Sequence, residues 1–164
     1  MEMFKYTLTM IAALSISVGL AQAAKEQAPA FRITSLDGKT YTNQNLKGKV
    51  VLIDFWATWC GPCRQVSKIV QGLQTKYGKK GLQILCLDVK EPSPAKDAVV
   101  KYKSSHGYTY PFSVANGEFD KTMGVSTLPT VVVIGRTGQI EYRHTSLTGL
   151  ATELEQAVVK ALKG

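Results

Sequence analysis

The stretch from Val50 to Cys63 constrains the fold more than any other part of the chain. Val50-Val-Leu-Ile-Asp-Phe-Trp56 is an apolar run of strand length, broken only by Asp54, and predicts a strand buried on both faces. Cys60-Gly-Pro-Cys63 follows almost at once. Beyond it Val66, Ile69, Val70, Leu73 and Tyr77 fall at helical spacing, closed by Gly78 and Gly81. The spacing therefore predicts a strand that turns directly into a helix at a pair of cysteines.

The rest of the chain continues the alternation. Phe31-Arg-Ile-Thr-Ser and Lys39-Thr-Tyr-Thr42 flank Asp37-Gly38, which supplies the positive φ angles of a hairpin turn. Leu82 to Val89 is a second buried strand. Glu91-Pro-Ser-Pro opens a helix running to about Lys103, and Tyr110-Pro-Phe-Ser-Val114 is a short extended piece. Thr130 to Ile134 is a third core strand, joined through Gly135-Arg-Thr-Gly138 to Ile140–His144. Leu150, Leu154, Val158 and Leu162 mark a closing amphipathic helix. Strands alternating with helices predict an α/β sandwich, and the hairpin near the C-terminus makes its sheet mixed. A length of 164 residues suits one domain.

The first 23 residues read as an address. Lys5 precedes an apolar stretch from Leu8 to Leu20 and then Ala21-Gln22-Ala23, the pattern of a secretory signal peptide cleaved after Ala23. Residues 24–164 would form the exported domain. The apolar stretch is short for a membrane span, which makes an uncleaved anchor the lesser alternative. No cysteine near the cleavage site offers a lipid attachment point. Export implies a compartment, periplasmic in kind, where disulfides persist.

Twenty Lys and Arg against twelve Asp and Glu leave a charge of +8. No basic run exceeds two residues and aromatic interleaving is missing, so nucleic acid is not an expected partner. The charge reads as a solvated basic surface that steers acidic partners or tolerates an anionic membrane face.

Chemistry is expected between residues 54 and 63. A cysteine at a helix start meets unpaired N–H groups and the positive end of the helix dipole, which favour its thiolate. Cys60 is thus the expected attacking sulfur, with Cys63 one turn deeper as the resolving one. Pro62 suits the first turn because its missing N–H costs nothing there. The alternatives are a static disulfide or half of a zinc site. Zinc needs two more ligands, and only Cys86, His106 and His144 are spare, without paired spacing. No metal or other cofactor is expected. Cys86, within a buried strand, reads as a small packed hydrophobe, and the histidines as surface residues. Trp56 and Trp59 read as packing around the strand, with Trp59 able to cover the Cys60 sulfur.

The nine residues Phe55-Trp-Ala-Thr-Trp-Cys-Gly-Pro-Cys63 resemble the thioredoxin superfamily. The extra hairpin, the insert from about Pro92 to Val114 and Thr127-Leu128-Pro129-Thr130 make the chain similar to its exported, TlpA-like branch, the cytochrome-c-biogenesis type. The resemblance implies a thioredoxin-like three-layer sandwich with helices on both faces of a mixed sheet. It implies a thiol–disulfide oxidoreductase that reduces disulfides of exported proteins, acts as a monomer and is re-reduced by a membrane electron donor. It assigns Cys60, Cys63 and the buried acid Asp54 to catalysis, with Asp54 accepting the proton of Cys63. It assigns Trp59, Gly61, Pro62, Leu128 and a cis Pro129 to substrate binding. A proline opening a strand leaves Leu128 free to pair with an extended peptide.

Two departures stand out. Val66 occupies the place where TlpA-like sequences often carry Glu, and Cys86 falls at about the place of thioredoxin's lysine beside the buried acid. Asp54 would then act alone. A non-catalytic binding module presenting the Leu128-Pro129 groove is the rival reading, and a peroxidase lacks its expected Thr-x-x-Cys pattern.

Overall fold

A computed structural model describes residues 25–91, 95–115 and 117–164. The segment read as a signal peptide lies outside the described residues. Elements follow in the order β1 (Arg32–Thr34), β2 (Thr40–Thr42), β3 (Val50–Trp56), α1 (Cys63–Tyr77), β4 (Leu82–Asp88), α2 (Ala95–His106), β5 (Phe112–Val114), α3 (Phe119–Thr122), β6 (Thr130–Ile134), β7 (Ile140–His144) and α4 (Leu150–Lys163). Five strands form one mixed sheet in the order β5-β4-β3-β6-β7, and β1 and β2 form a separate antiparallel hairpin.

Strand β3 is central because it is the chain's longest wholly apolar strand apart from one acid, and all seven of its residues are buried. It pairs parallel with β4, Asp54 opposite Cys86, and antiparallel with β6, Asp54 opposite Val131. Alternation along the strand splits the core in two. Val50, Leu52 and Trp56 face a cluster closed by Val66, Val70 and Leu73 of α1, Val99 and Tyr102 of α2, and Leu154 and Val158 of α4. Val51, Ile53 and Phe55 face Phe31, Ile33 and Tyr41 of the hairpin region together with Met123 and Phe119 around α3. Each fully buried aliphatic side chain contributes about 1.5–3 kcal/mol relative to exposure. Helices thus lie on both faces as expected, but three of the four share one face. The hairpin and the single turn of α3 cover the other.

Local chemistry sets the element ends. Helix α1 stops at Tyr77, and Gly81 takes φ +104° after a 3₁₀ turn over Gly78–Lys80, a conformation that favours glycine. The hairpin turns at Gly38, φ +85°, closed by the Ser35 N–H donating to the Lys39 carbonyl at 2.9 Å. Its far side grips β5: the Leu36 N–H donates to the Phe112 carbonyl at 2.8 Å and the Ser113 hydroxyl to the Thr34 carbonyl at 2.6 Å. Helix α2 runs three residues past its expected end at Lys103. Tyr102 packs at a tilt against both Trp56 and His106, with ring centroids 4.4 Å apart in each case, and this aromatic contact extends the last turn. Among the described residues no helix is long and apolar enough to cross a membrane.

Candidate active site

Strand β3 ends at Trp56, and a tight turn carries the chain to Cys60, whose N–H donates to the Ala57 carbonyl at 3.0 Å. Pro62 then caps α1 with φ −58° and ψ −34°, already helical, as its fixed ring geometry favours. Cys60 and Cys63 are joined by a disulfide with Cα atoms 5.3 Å apart. The Cys63 N–H donates to the Cys60 sulfur at 3.3 Å, so a free N–H of the helix start is aimed at this sulfur. Cys60 keeps 4% exposure and Cys63 none, the order expected for an attacking and a resolving sulfur.

Leu128–Pro129 is a cis peptide. The Phe55–Thr130 register places Pro129 at the end of β3 that leads to Cys60, and the Thr130 hydroxyl donates to the Thr127 carbonyl at 2.7 Å. Gly61 and Pro62 are exposed, Leu128 is half-buried and Pro129 is buried.

Asp54 lies on the α1 face of the sheet, wholly buried. The Cys86 thiol donates to its Oδ2 at 3.7 Å, while Oδ1 has no partner among the described residues. Burial pushes the carboxyl up to about 7, and the Cys86 hydrogen bond opposes that rise. Cys86 is equally buried, and burial together with the neighbouring Asp54 charge holds its thiol well above the ordinary range. The strand alignment that placed Cys86 beside Asp54 is the one observed. Val66 is buried, so no carboxylate stands at its position on α1.

Trp59 departs from its expected packing role. It is 58% exposed, standing on the rim beside Cys60, with its indole N–H donating to the Lys90 carbonyl at 3.2 Å. That bond belongs to a strap that sequence reasoning missed. The segment after β4 reaches back over the site: the Val89 N–H donates to the Trp56 carbonyl at 2.8 Å, and the Thr58 N–H donates to the Glu91 carboxylate. Lys90, with a left-handed φ of +64°, sends its ammonium to the Ser126 carbonyl at 2.9 Å, next to the cis-proline loop. Asp88 beneath the strap is 1% exposed, and burial plus the Glu91 charge raises its carboxyl to about 8. The only sequence signal was the Glu91-Pro pair, which marks a helix approach rather than a strap.

His144 is more enclosed than its strand-end position suggested, with Nδ1 3.5 Å from the Glu153 carboxylate, while His106 is exposed at the end of α2. Among the described residues no three His, Cys, Asp or Glu side chains are grouped to hold a metal ion.

A cysteine pair at the head of a helix, delivered by the central strand and faced by a cis-proline loop, defines a thioredoxin-fold protein with a redox-active site. Within that class the chain belongs to the Redoxin family, whose sequence profile matches residues 23–156. It is 38% identical over 118 residues to the thiol-disulfide oxidoreductase ResA of Bacillus thuringiensis subsp. konkukian (strain 97-27), covering 70% of this chain and 65% of the relative. It is 30% identical over 131 residues to the thioredoxin-like protein YneN of Bacillus subtilis (strain 168), covering 80% and 76%. Among solved structures, a thiol:disulfide interchange protein of the thioredoxin family from Chlorobium tepidum TLS superposes with a TM-score of 0.72 at 28% identity, covering 87% of this chain and 99% of that one. The matched region spans about 65% of the length of the ResA relatives.

Proposed function

We propose that this protein is a thiol–disulfide oxidoreductase that reduces disulfides of exported proteins through Cys60 and Cys63. The observation that carries the reading is the Cys60–Cys63 pair at the head of α1, with the buried, half-unpartnered carboxyl of Asp54 on the same face of the sheet. The names of the ResA and YneN relatives support it.

In the reduced enzyme the Cys60 thiolate attacks one sulfur of a substrate disulfide. A mixed disulfide forms and the first substrate thiolate leaves. Cys63 then gives its proton to the Asp54 carboxylate and attacks the Cys60 sulfur. The Cys60–Cys63 bond closes and the second substrate thiolate departs, so two electrons pass from enzyme to substrate. With a pKa near 7, Asp54 is poised to take and return a proton at neutral pH. Trp59, Gly61 and Pro62 form the rim that a substrate strand meets, and Leu128 offers its backbone beside Pro129. The Gly-Pro spacer resembles that of reducing members of the superfamily. A membrane-held thiol donor would restore the dithiol, as the likeness to the cytochrome-c-biogenesis type implies. The signal-like residues 1–23 support export to a periplasmic compartment, with the domain working as a monomer.

Insulin reduction with a dithiol regenerant tests the reading. Cys60→Ser should abolish turnover, and Cys63→Ser should accumulate mixed disulfides that gel electrophoresis resolves. Adducts on Cys60→Ser in place of Cys63→Ser would reverse the two roles. Wild type that binds partners yet cuts no disulfide would make the protein a binding module.

A further inference from the structure

The net charge is gathered at one end of the molecule. Strand β3 begins at the pole opposite the disulfide, preceded there by exposed Lys47 and Lys49. Helix α1 ends at the same pole, where Lys79 and Lys80 are exposed, and α4 ends there with Lys160 and Lys163 exposed. Arg136, in the β6–β7 turn, ties these parts together: its guanidinium donates to the Gly48 carbonyl at 2.7 Å and the Leu162 carbonyl at 3.0 Å. Lys25 completes the set, paired with Glu141. Eight of the nineteen Lys and Arg residues in 25–164 therefore share this pole with only two acids, Glu26 and Glu141. The remaining eleven cations face nine acids, so +6 of the +8 lies at one end.

Two further features sit at this pole. Residues 25–28 attach here, with the Ala28 N–H donating to the Gly138 carbonyl at 2.9 Å. A cleft of about 160 Å³ opens here as well, floored by Phe31, Leu46 and Ile134 and bordered by Lys47, Lys49 and Arg136. An apolar floor inside a cationic rim suits an anionic amphiphile better than a fully polar acidic peptide.

We propose that the basic pole docks the domain on a bilayer of anionic phospholipid, with a phosphate headgroup seated at the Lys47–Lys49–Arg136 cleft. Juxtamembrane lysines and arginines are attracted to such a surface over about a Debye length. Strand β3, seven residues long, separates the pole from the disulfide by about 20 Å. Cys60 then faces away from the bilayer toward soluble substrates. A membrane-held thiol donor reaches it only after the domain releases and turns, so the attachment is electrostatic and reversible rather than inserted. The inference rests on export and not on the redox chemistry, which insulin reduction measures in the absence of lipid.

The test is sedimentation of the full chain with vesicles of phosphatidylglycerol or phosphatidylcholine at about 50 and 300 mM salt. Binding is expected to phosphatidylglycerol only and to fall at least about tenfold at the higher salt. The quadruple variant Lys47→Glu, Lys49→Glu, Lys79→Glu, Lys80→Glu should lose it. Lys68→Glu, Lys96→Glu, Lys101→Glu, Lys121→Glu makes the same charge change on exposed residues elsewhere and should keep most of it. Both tryptophans, Trp56 and Trp59, lie at the far end, so brominated phosphatidylglycerol should leave their emission unquenched. Equal binding to both lipids would assign attachment to residues 1–24, and equal loss in the two variants would make the charge diffuse. Either result overturns the proposal, as does quenching. Tight binding to polyglutamate at a salt concentration where vesicles bind nothing would give the pole to an acidic protein instead.

Discussion

Asp54 and Cys86 form an unequal pair: the carboxylate makes the thiol harder to ionise, while the thiol's hydrogen bond makes the carboxyl easier to ionise. The carboxyl is pushed up to about 7 by burial, and the thiol is held high by burial and by the Asp54 charge. Asp54→Asn should slow closure of the Cys60–Cys63 bond on the order of 10²-fold near neutral pH, the usual worth of a positioned base. The fold should survive, because a buried charge is removed rather than created. Stopped-flow rates equal to wild type across about pH 6–9 would take Asp54 out of the mechanism. Cys86→Ala makes a subtler forecast. Its thiol stabilises the ionised carboxylate, so its loss should move the rate profile to higher pH while leaving the alkaline plateau almost unchanged. In the oxidised native protein the Cys86 thiol should resist a bulky maleimide, and one thiol should label after denaturation. Fast native labelling would contradict its burial.

At the scale of elements, the strap from Asp88 to Glu91 joins three parts of the site that the sequence keeps apart. It holds Thr58, the Trp59 indole and, through Lys90, the loop before Pro129. Lys90→Gly keeps the left-handed backbone but removes the ammonium contact to Ser126. It should raise KM for a protein disulfide several-fold and leave reaction with a small disulfide unchanged; an equal loss for both would argue against a substrate-positioning role. The strap was not legible in the sequence because its bonds use backbone carbonyls and one carboxylate, which carry no periodicity. Strands β3, β4 and β6 and helices α1 and α4 were legible, since each is an apolar run or a clear 3.6-residue stripe, and β7 was legible from the Gly135–Gly138 turn that joins it to β6. Helix α3 is a single turn, too short to show a stripe. Helix α2 buries only Val99 and Tyr102, so its end was set by aromatic packing that spacing does not reveal. The cysteine pair and Pro129 could be read from a motif. The exposure of Trp59 could not, because a large apolar side chain beside a buried strand reads as packing.

At the scale of the whole molecule, two buried acids with raised pKa values set how stability depends on pH. Asp54 near 7 and Asp88 near 8 hold protons in the folded state that ordinary carboxyls, with a pKa of about 4, release when unfolded. Between those limits the folded state binds more protons, so stability falls as pH rises from about 4 to 8. Each group changes stability by at most about 1.4 kcal/mol per pH unit in that window. Denaturant midpoints of the oxidised protein should therefore be higher at pH 5 than at pH 8. Asp54→Asn together with Asp88→Asn should flatten the slope, and a wild-type midpoint that rises over this range would contradict the burial of both acids. The bonds from Thr34 and Leu36 to β5 carry a different consequence. The hairpin and the edge strand β5 are fastened to each other as well as to the core. Neither can be transplanted alone without freeing the Leu36 N–H and the Phe112 and Thr34 carbonyls that these bonds now satisfy. For engineering, they form one module whose two halves should be moved or deleted together.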